Sequence, residues 1–157
     1  MKIQWSKLII AVVGCQLAGA VGAIFTSPNI ATWYATLAKP SFNPPNWIFG
    51  PVWTILYLMM GISAYLIWSQ KKEWSHNWKA LAFFDLQLGL NVLWSIIFFG
   101  MQNPGLAFVE IIILLTALAV TIIKFYKISK IAAYLLIPYF LWGCFATVLN
   151  YSIWMLN

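Results

Sequence analysis

Charge is what this chain has least of. Of its 157 residues 8% are charged, against about a quarter in ordinary soluble proteins. The acids are Glu73, Asp85 and Glu110, the only histidine is His76, and the cysteines are Cys15 and Cys144. These scarcities exclude much. There is no Cys/His cluster at metal-ligand spacing, no Ser/His/Asp set for nucleophilic catalysis, and no glycine-rich loop to cradle a phosphate. No metal site is expected. Both cysteines lie in apolar runs and read as small buried hydrophobes rather than a disulfide. His76 sits in a polar loop between Trp74 and Trp78, where a solvated histidine is the plain reading and a haem ligand the alternative. All nine basic residues are lysines placed between apolar runs, so the net charge of +6 is not a nucleic-acid footprint.

What is present is hydrocarbon and indole. Apolar residues make up 63% of the chain, ten of them tryptophan, and the mean hydropathy is +0.86. Several apolar runs approach or exceed the roughly 20 residues that cross a bilayer. The expected fold is all-α: one domain, residues 1–157, of five transmembrane helices. The spans are read at about Leu8–Phe25, Trp47–Trp68, Trp78–Phe99, Leu106–Ile123 and Ile131–Trp154. The first, behind Lys2 and Lys7, resembles a signal peptide, but it is long and lacks a clear cleavage site, so it reads as retained. Ser27-Pro28 would end it. Residues 26–46 form the longest connection, with a short helix expected within Asn29–Leu37. There Trp33 and Tyr34 are either interfacial aromatics or, for Tyr34, part of a lid. Gln70–Lys79 and the segment around Lys124, Lys127 and Lys130 read as charged loops. With five spans, one side carries eight lysines and the other only Lys39. The positive-inside rule then puts the N-terminus in the cytoplasm.

The stretch from Lys39 to Tyr57 organises the rest. Pro44 and Pro45 hold the chain extended, Asn46 is placed to cap the next helix, and Pro51 falls in its first turns. Trp53 and Tyr57 share a helix face, with Gly50 and Gly61 roughly in line. In the third span Gln87, Asn91 and Trp94 fall within about 60° of one another, whereas Asp85 points away. In the fifth, Tyr139, Trp142, Ala146 and Leu149 define one face. Depth puts Trp53, Asn91, Trp94 and Trp142 together in the half beneath the 26–46 loop. Two readings stay open: a pocket walled by aromatics for a large, flat, mostly apolar ligand, or bundle packing plus an aromatic belt. Asp85 and Glu110 would be the groups of a proton-coupled carrier, but they lie towards opposite faces and read more simply as structural carboxylates.

Several stretches together resemble the translocator protein family, also called the tryptophan-rich sensory or peripheral benzodiazepine receptor family. They are Trp33-Tyr34, Lys39-Pro-Ser-Phe-Asn-Pro-Pro45, Gly50-Pro-Val-Trp-Thr-Ile-Leu-Tyr57, Leu90-Asn-Val-Leu-Trp94 with Ile97-Phe-Phe-Gly100, and Pro138-Tyr-Phe-Leu-Trp142 followed by Phe145-Ala-Thr-Val-Leu-Asn-Tyr151. The resemblance implies a multi-pass protein of the bacterial cell membrane, often a homodimer. Small residues of span one or the surroundings of Gly89 would serve as the dimer face. The family binds porphyrins, including protoporphyrin IX and haem, and benzodiazepine-type molecules. By motif, Trp53 and Trp142 match tryptophans linked to porphyrin breakdown. Tyr34, Tyr57, Asn91, Trp94, Ala146 and Leu149 match other ligand-binding positions. The implied function is tetrapyrrole binding with light- and oxygen-dependent degradation and stress sensing. The alternative is transport of porphyrins, lipids or sterols. No cofactor is required, the porphyrin being ligand or substrate. Phe42 departs from the tryptophan often found in the loop motif. No basic residue follows Tyr151, which counts against a sterol-recognition pattern.

Overall fold

The five apolar runs become five helices long and apolar enough to cross a membrane. In the computed structural model, residues 3–70 and 74–157 are described, with side chains at 3–70 and 77–157. Lys2, Lys71, Lys72, Glu73 and the His76 side chain, all used in the reading of charge, lie outside the described residues. The elements are α1 (Trp5–Ile30), a one-turn helix α2 (Trp33–Thr36), α3 (Asn46–Trp68), α4 (Trp74–Ser95) continued by a π-helix (Ile96–Gly100), α5 (Pro104–Ile128) and α6 (Lys130–Leu156). There is no strand among the described residues. The long helices close into a ring: α1 packs on α3 and α4, α4 on α5, α5 on α6, and α6 on α3.

Helix ends correct the sequence reading in instructive ways. Pro28 does not end α1, which runs on to Ile30. A proline in the last turn removes only one helical bond, and Asn29 Nδ2 donates back to the Phe25 carbonyl at 2.9 Å. Asn46 is not a cap; Pro45, extended at φ −56° and ψ 139°, holds that place, and Asn46 is already helical. Pro51 is therefore the sixth helical residue, beyond the first turn, and it removes one i→i−4 bond that another residue would have made. Residues 74–79, expected as loop, belong to α4. Lys124 and Lys127 belong to the last turns of α5, because Ser129 alone separates it from α6. Ser129 starts α6, its Oγ accepting from Ala132 N–H at 3.3 Å. Asn103 does the same for α5, accepting from Leu106 N–H at 3.0 Å.

Glycine decides where α1 and α3 touch. A Cβ added at Gly61 would stand 2.6 Å from Val12 Cα, which is backbone and cannot yield cheaply. A Cβ at Gly19 would stand 2.6 Å from Tyr57 Cδ2. Gly14 and Gly50 have nothing within 4 Å. Of the two glycines flanking Trp53 and Tyr57, Gly61 is thus a close-contact point, whereas Gly50 faces open space. In a bilayer such backbone approach drives association that hydrophobicity cannot. Gly61→Ala should therefore cost about 1–3 kcal/mol by overpacking. Gly14→Ala should be neutral or stabilise by up to about 1 kcal/mol through helix propensity. Thermal midpoints of both variants in one detergent check this; equal midpoints would remove the glycine contact as the cause.

Candidate ligand-binding site

A cavity of about 570 Å³ opens in the half of the bundle away from the α5–α6 junction. Its walls follow from helix periodicity. The α3 face spaced by four supplies Trp53 and Tyr57, and α4 supplies Asn91 and Trp94. From α6 come Trp142, Ala146 and Leu149, and from the connection above comes Tyr34. The eight residues singled out from sequence thus surround one space. Tyr34 turns inward, only 5% exposed, and faces the cavity from the connection. Trp33 instead packs edge-on against Phe98, centroids 5.6 Å apart.

Other sequence candidates fall elsewhere. Asp85 is exposed on the outer side of α4. Gln87 is fully buried but off the cavity, with no hydrogen-bond partner for either amide atom. Of the helix face shared by Gln87, Asn91 and Trp94, the last two line the cavity. Glu110 is buried behind the cavity wall, both carboxyl oxygens without a partner, so Asp85 and Glu110 form no pair across the bundle. Sequence reasoning missed Phe98, Phe99 and Asn150, which also line the cavity. The π-helix explains the first two: its wider turn buries Ile97, Phe98 and Phe99 in succession. An α-helical wheel would have turned one of them outward.

The polar groups in the wall are tied to one another. Tyr57 O–H donates to Asn91 Oδ1, and Asn91 Nδ2 donates to the Tyr139 hydroxyl at 2.8 Å. One amide thereby joins α3, α4 and α6. Higher up, Trp94 Nε1 donates to Asn150 Oδ1 at 3.0 Å, and Asn150 Nδ2 donates to the Pro104 carbonyl at 2.8 Å. The Trp53 ring lies over Tyr57, centroids 5.5 Å apart at 30°, and meets Tyr139 edge-on at 6.0 Å. Trp142 meets Phe49 edge-on at 5.9 Å. The cavity lining contains no charged side chain, histidine or cysteine among the described residues.

The roof is fastened at both ends. Tyr34 O–H donates to Asn43 Oδ1 at 2.7 Å, and Asn43 Nδ2 donates to the Pro44 carbonyl at 3.1 Å. Burial pushes the Tyr34 hydroxyl up to about 12, so it keeps its proton and stays a donor. Lys39 Nζ stands 4.8 Å from the centre of the Tyr34 ring and donates to the Leu37 carbonyl at 3.0 Å. The Asn157 side chain clasps Ala38, its Oδ1 accepting from Ala38 N–H at 3.0 Å and its Nδ2 donating to the Ala38 carbonyl at 3.1 Å.

One wall is open. Gln16 Nε2 donates to the Thr54 carbonyl at 3.0 Å, the last cross-tie between α1 and α3. Beyond it Ala20, Ala23 and Ser27 on α1 face the cavity opposite Trp47 and Gly50 on α3, and all five are exposed. There the cavity opens sideways, past the small residues of α1.

The Tyr57–Asn91–Tyr139 tie makes a sharp expectation. Asn91→Leu leaves two buried hydroxyls without their partner, at roughly 1–3 kcal/mol for each unsatisfied group. Removing both hydroxyls as well (Tyr57→Phe with Tyr139→Phe) should recover part of that loss. A triple variant no more stable than Asn91→Leu would show that the hydroxyls find other partners. Thermal unfolding of the single, double and triple variants decides.

The description of the TspO/MBR family matches residues 11–155. The chain is 46% identical over 151 residues to the tryptophan-rich protein TspO of Archaeoglobus fulgidus, covering 96% of this chain and 97% of that one. It is 41% identical over 138 residues to the human translocator protein, covering 87% and 82%. To the tryptophan-rich sensory protein of Cereibacter sphaeroides it is 31% identical over 157 residues, covering 100% and 95%. With five membrane-spanning helices in a closed ring and matches running along nearly its whole length, this chain belongs to the TspO/MBR family.

Proposed function

We propose that the cavity binds a tetrapyrrole, with protoporphyrin IX as the best-fitting member. The observation that carries this reading is the lining: a space of about 570 Å³ walled by Trp53, Tyr57, Trp94, Trp142 and Phe98, with Asn91 among them. That size lies within the ~300–1,000 Å³ of small-molecule sites, and aromatic walls suit a flat π-system. The lining offers no histidine or cysteine to an iron, which favours the metal-free porphyrin over haem. The opening between α1 and α3 admits a membrane-dissolved ligand without passage through water. Benzodiazepine-type molecules, also flat and apolar, would compete for the same space.

A reaction on this ligand would not be acid–base chemistry, because no carboxylate, histidine or cysteine among the described residues faces the cavity and its tyrosines hold their protons. In our reading Trp53 and Trp142 are the residues of consequence. Their oxidisable indoles exchange electrons with a photo-excited porphyrin, dioxygen being the oxidant. Stress sensing would use the same bound state without turnover. The transport reading, favoured by the name several relatives carry, needs a path to both sides. The cavity lining stops at Gln16, Tyr57 and Asn91 and takes no residue from the lysine-bearing ends, which favours binding and chemistry over transport. We place the protein in the bacterial cell membrane with the N-terminus in the cytoplasm, as a homodimer.

Two experiments test this. Purified protein with protoporphyrin IX, in the dark and then illuminated with oxygen, should give a saturable spectral shift and then a new absorbing product. Trp53→Phe/Trp142→Phe should keep the shift and lose the product; unchanged turnover would remove the tryptophans from the chemistry, and no shift at all would remove the ligand. Asn157→Ala deletes both bonds to Ala38, worth roughly 1 kcal/mol each. It should raise the porphyrin dissociation rate about three- to ten-fold in stopped flow, and an unchanged rate would mean that the roof does not gate release.

A further inference from the structure

At the opposite end of the molecule the α5–α6 hairpin carries a second recess, of about 220 Å³. Ile122, Ile123 and Ile137 form its apolar floor, Tyr126 and Tyr134 flank it, and Lys127 stands at its rim. The two tyrosine rings meet edge-on, 6.1 Å apart. Lys130 Nζ is held 5.6 Å from the centre of the Tyr126 ring, which keeps a second ammonium beside the same rim. The third lysine of the hairpin is turned elsewhere, Lys124 Nζ lying 4.6 Å over Phe83 on α4. Lys127, Lys130, Tyr126, Tyr134, Ile123 and Ile137 are all exposed.

The arrangement is amphipathic along the helix axis. Two ammonium groups stand at the helix junction, two phenols come next, and three isoleucines continue towards the middle of the bilayer. Tyrosine sits by preference at headgroup level, and lysines just beyond it attract anionic lipid headgroups. The acids elsewhere on the chain are few, and among the described residues Asp85 lies on the outer side of α4 while Glu110 lies at the far end of α5. We infer that this recess is a binding site for one anionic phospholipid of the lysine-bearing leaflet, its phosphate between Lys127 and Lys130 and one acyl chain over Ile122, Ile123 and Ile137. The charge selects the headgroup, and the recess selects a lipid over a soluble phosphate.

The full-length protein is titrated with phosphatidylglycerol or phosphatidylcholine in detergent, and retained lipid is counted by native mass spectrometry. The parent should hold one phosphatidylglycerol at least about five-fold more tightly than phosphatidylcholine. Each lysine contributes roughly five-fold, so Lys127→Gln/Lys130→Gln should erase that preference. Ile137→Trp, which fills the floor and leaves both lysines, should weaken the same adduct. Lys7→Gln/Lys79→Gln removes as much charge from other helices and should leave it intact, and glycerol phosphate should not compete. The inference fails if the two lipids bind equally, if the Lys7/Lys79 variant loses as much as the Lys127/Lys130 variant, if Ile137→Trp binds like the parent, or if glycerol phosphate displaces the lipid.

Discussion

The structure depends on one amide in an apolar setting. A carboxamide inside a bilayer cannot turn to water, and each unmatched polar group there costs several kcal/mol. Asn91 meets that constraint by accepting from Tyr57 and donating to Tyr139. The two phenols come from helices adjacent in the ring, so satisfying the amide fixes α3, α4 and α6 against one another at that depth. Tyr57 in turn requires Gly19, since its ring occupies the place of a Cβ there. Trp53 lies over the ring so placed. Thus a single buried amide, through two hydroxyls and one glycine, fixes the floor of the cavity and the orientation of one of its tryptophans.

The same economy explains why a space remains above that floor. Two helices touching at backbone level at Gly61 and Val12 can stay close only while small residues continue on both. On α3 the next inward-facing residues are Tyr57 and Trp53, both large. On α1 the facing residues stay small, from Gly19 and Ala20 to Ala23. Tyr57 does meet Gly19, where its ring leaves no room for a Cβ, but Trp53 is drawn across the bundle to meet Tyr139 edge-on. Beyond Gly19 the small residues of α1 are left facing open space. A cavity with a lateral mouth is the geometric residue of that imbalance.

Much of this was legible in the sequence because membrane helices obey simple rules. Apolar length gave five spans, and helix periodicity with depth along the spans brought Trp53, Asn91, Trp94 and Trp142 together, while Tyr34, Tyr57, Ala146 and Leu149 entered as pocket positions through the family resemblance. The failures are equally physical. Asn46 and Pro28 were read by local capping and breaking preferences, which the extended geometry of Pro45 and the tolerance of a last helical turn overrode. Gln87 shares the helix face of Asn91 but lies one turn deeper and off the cavity, in keeping with a reading by depth that left it out. Phe98 and Phe99 were invisible because a π-turn leaves no signature in residue type; its effect is to point consecutive aromatics the same way. Asn150 carried the usual mark of an intramembrane amide but was overshadowed by the aromatic face beside it.

The two ends of the bundle handle polarity in opposite ways, and this bears on what each can recognise. At the roofed end polar side chains turn inward and are consumed internally: Asn150 holds Trp94 and the start of α5, Asn157 holds Ala38, and Asn43 holds Tyr34. A ligand there would meet ring faces and amides such as Asn91 and Asn150 that are already committed to other partners, so shape and π-contact must supply most of the selectivity. At the α5–α6 junction the charges face outward. Lys127 is exposed on α5, and the ammonium of Lys130 lies beside the Tyr126 ring, with no acid partner among the described residues. A ligand held by those lysines as well as by the apolar recess would weaken with salt, where contact with the uncharged aromatic lining would not. Salt dependence alone thus separates ligands held at one end of this protein from those held at the other.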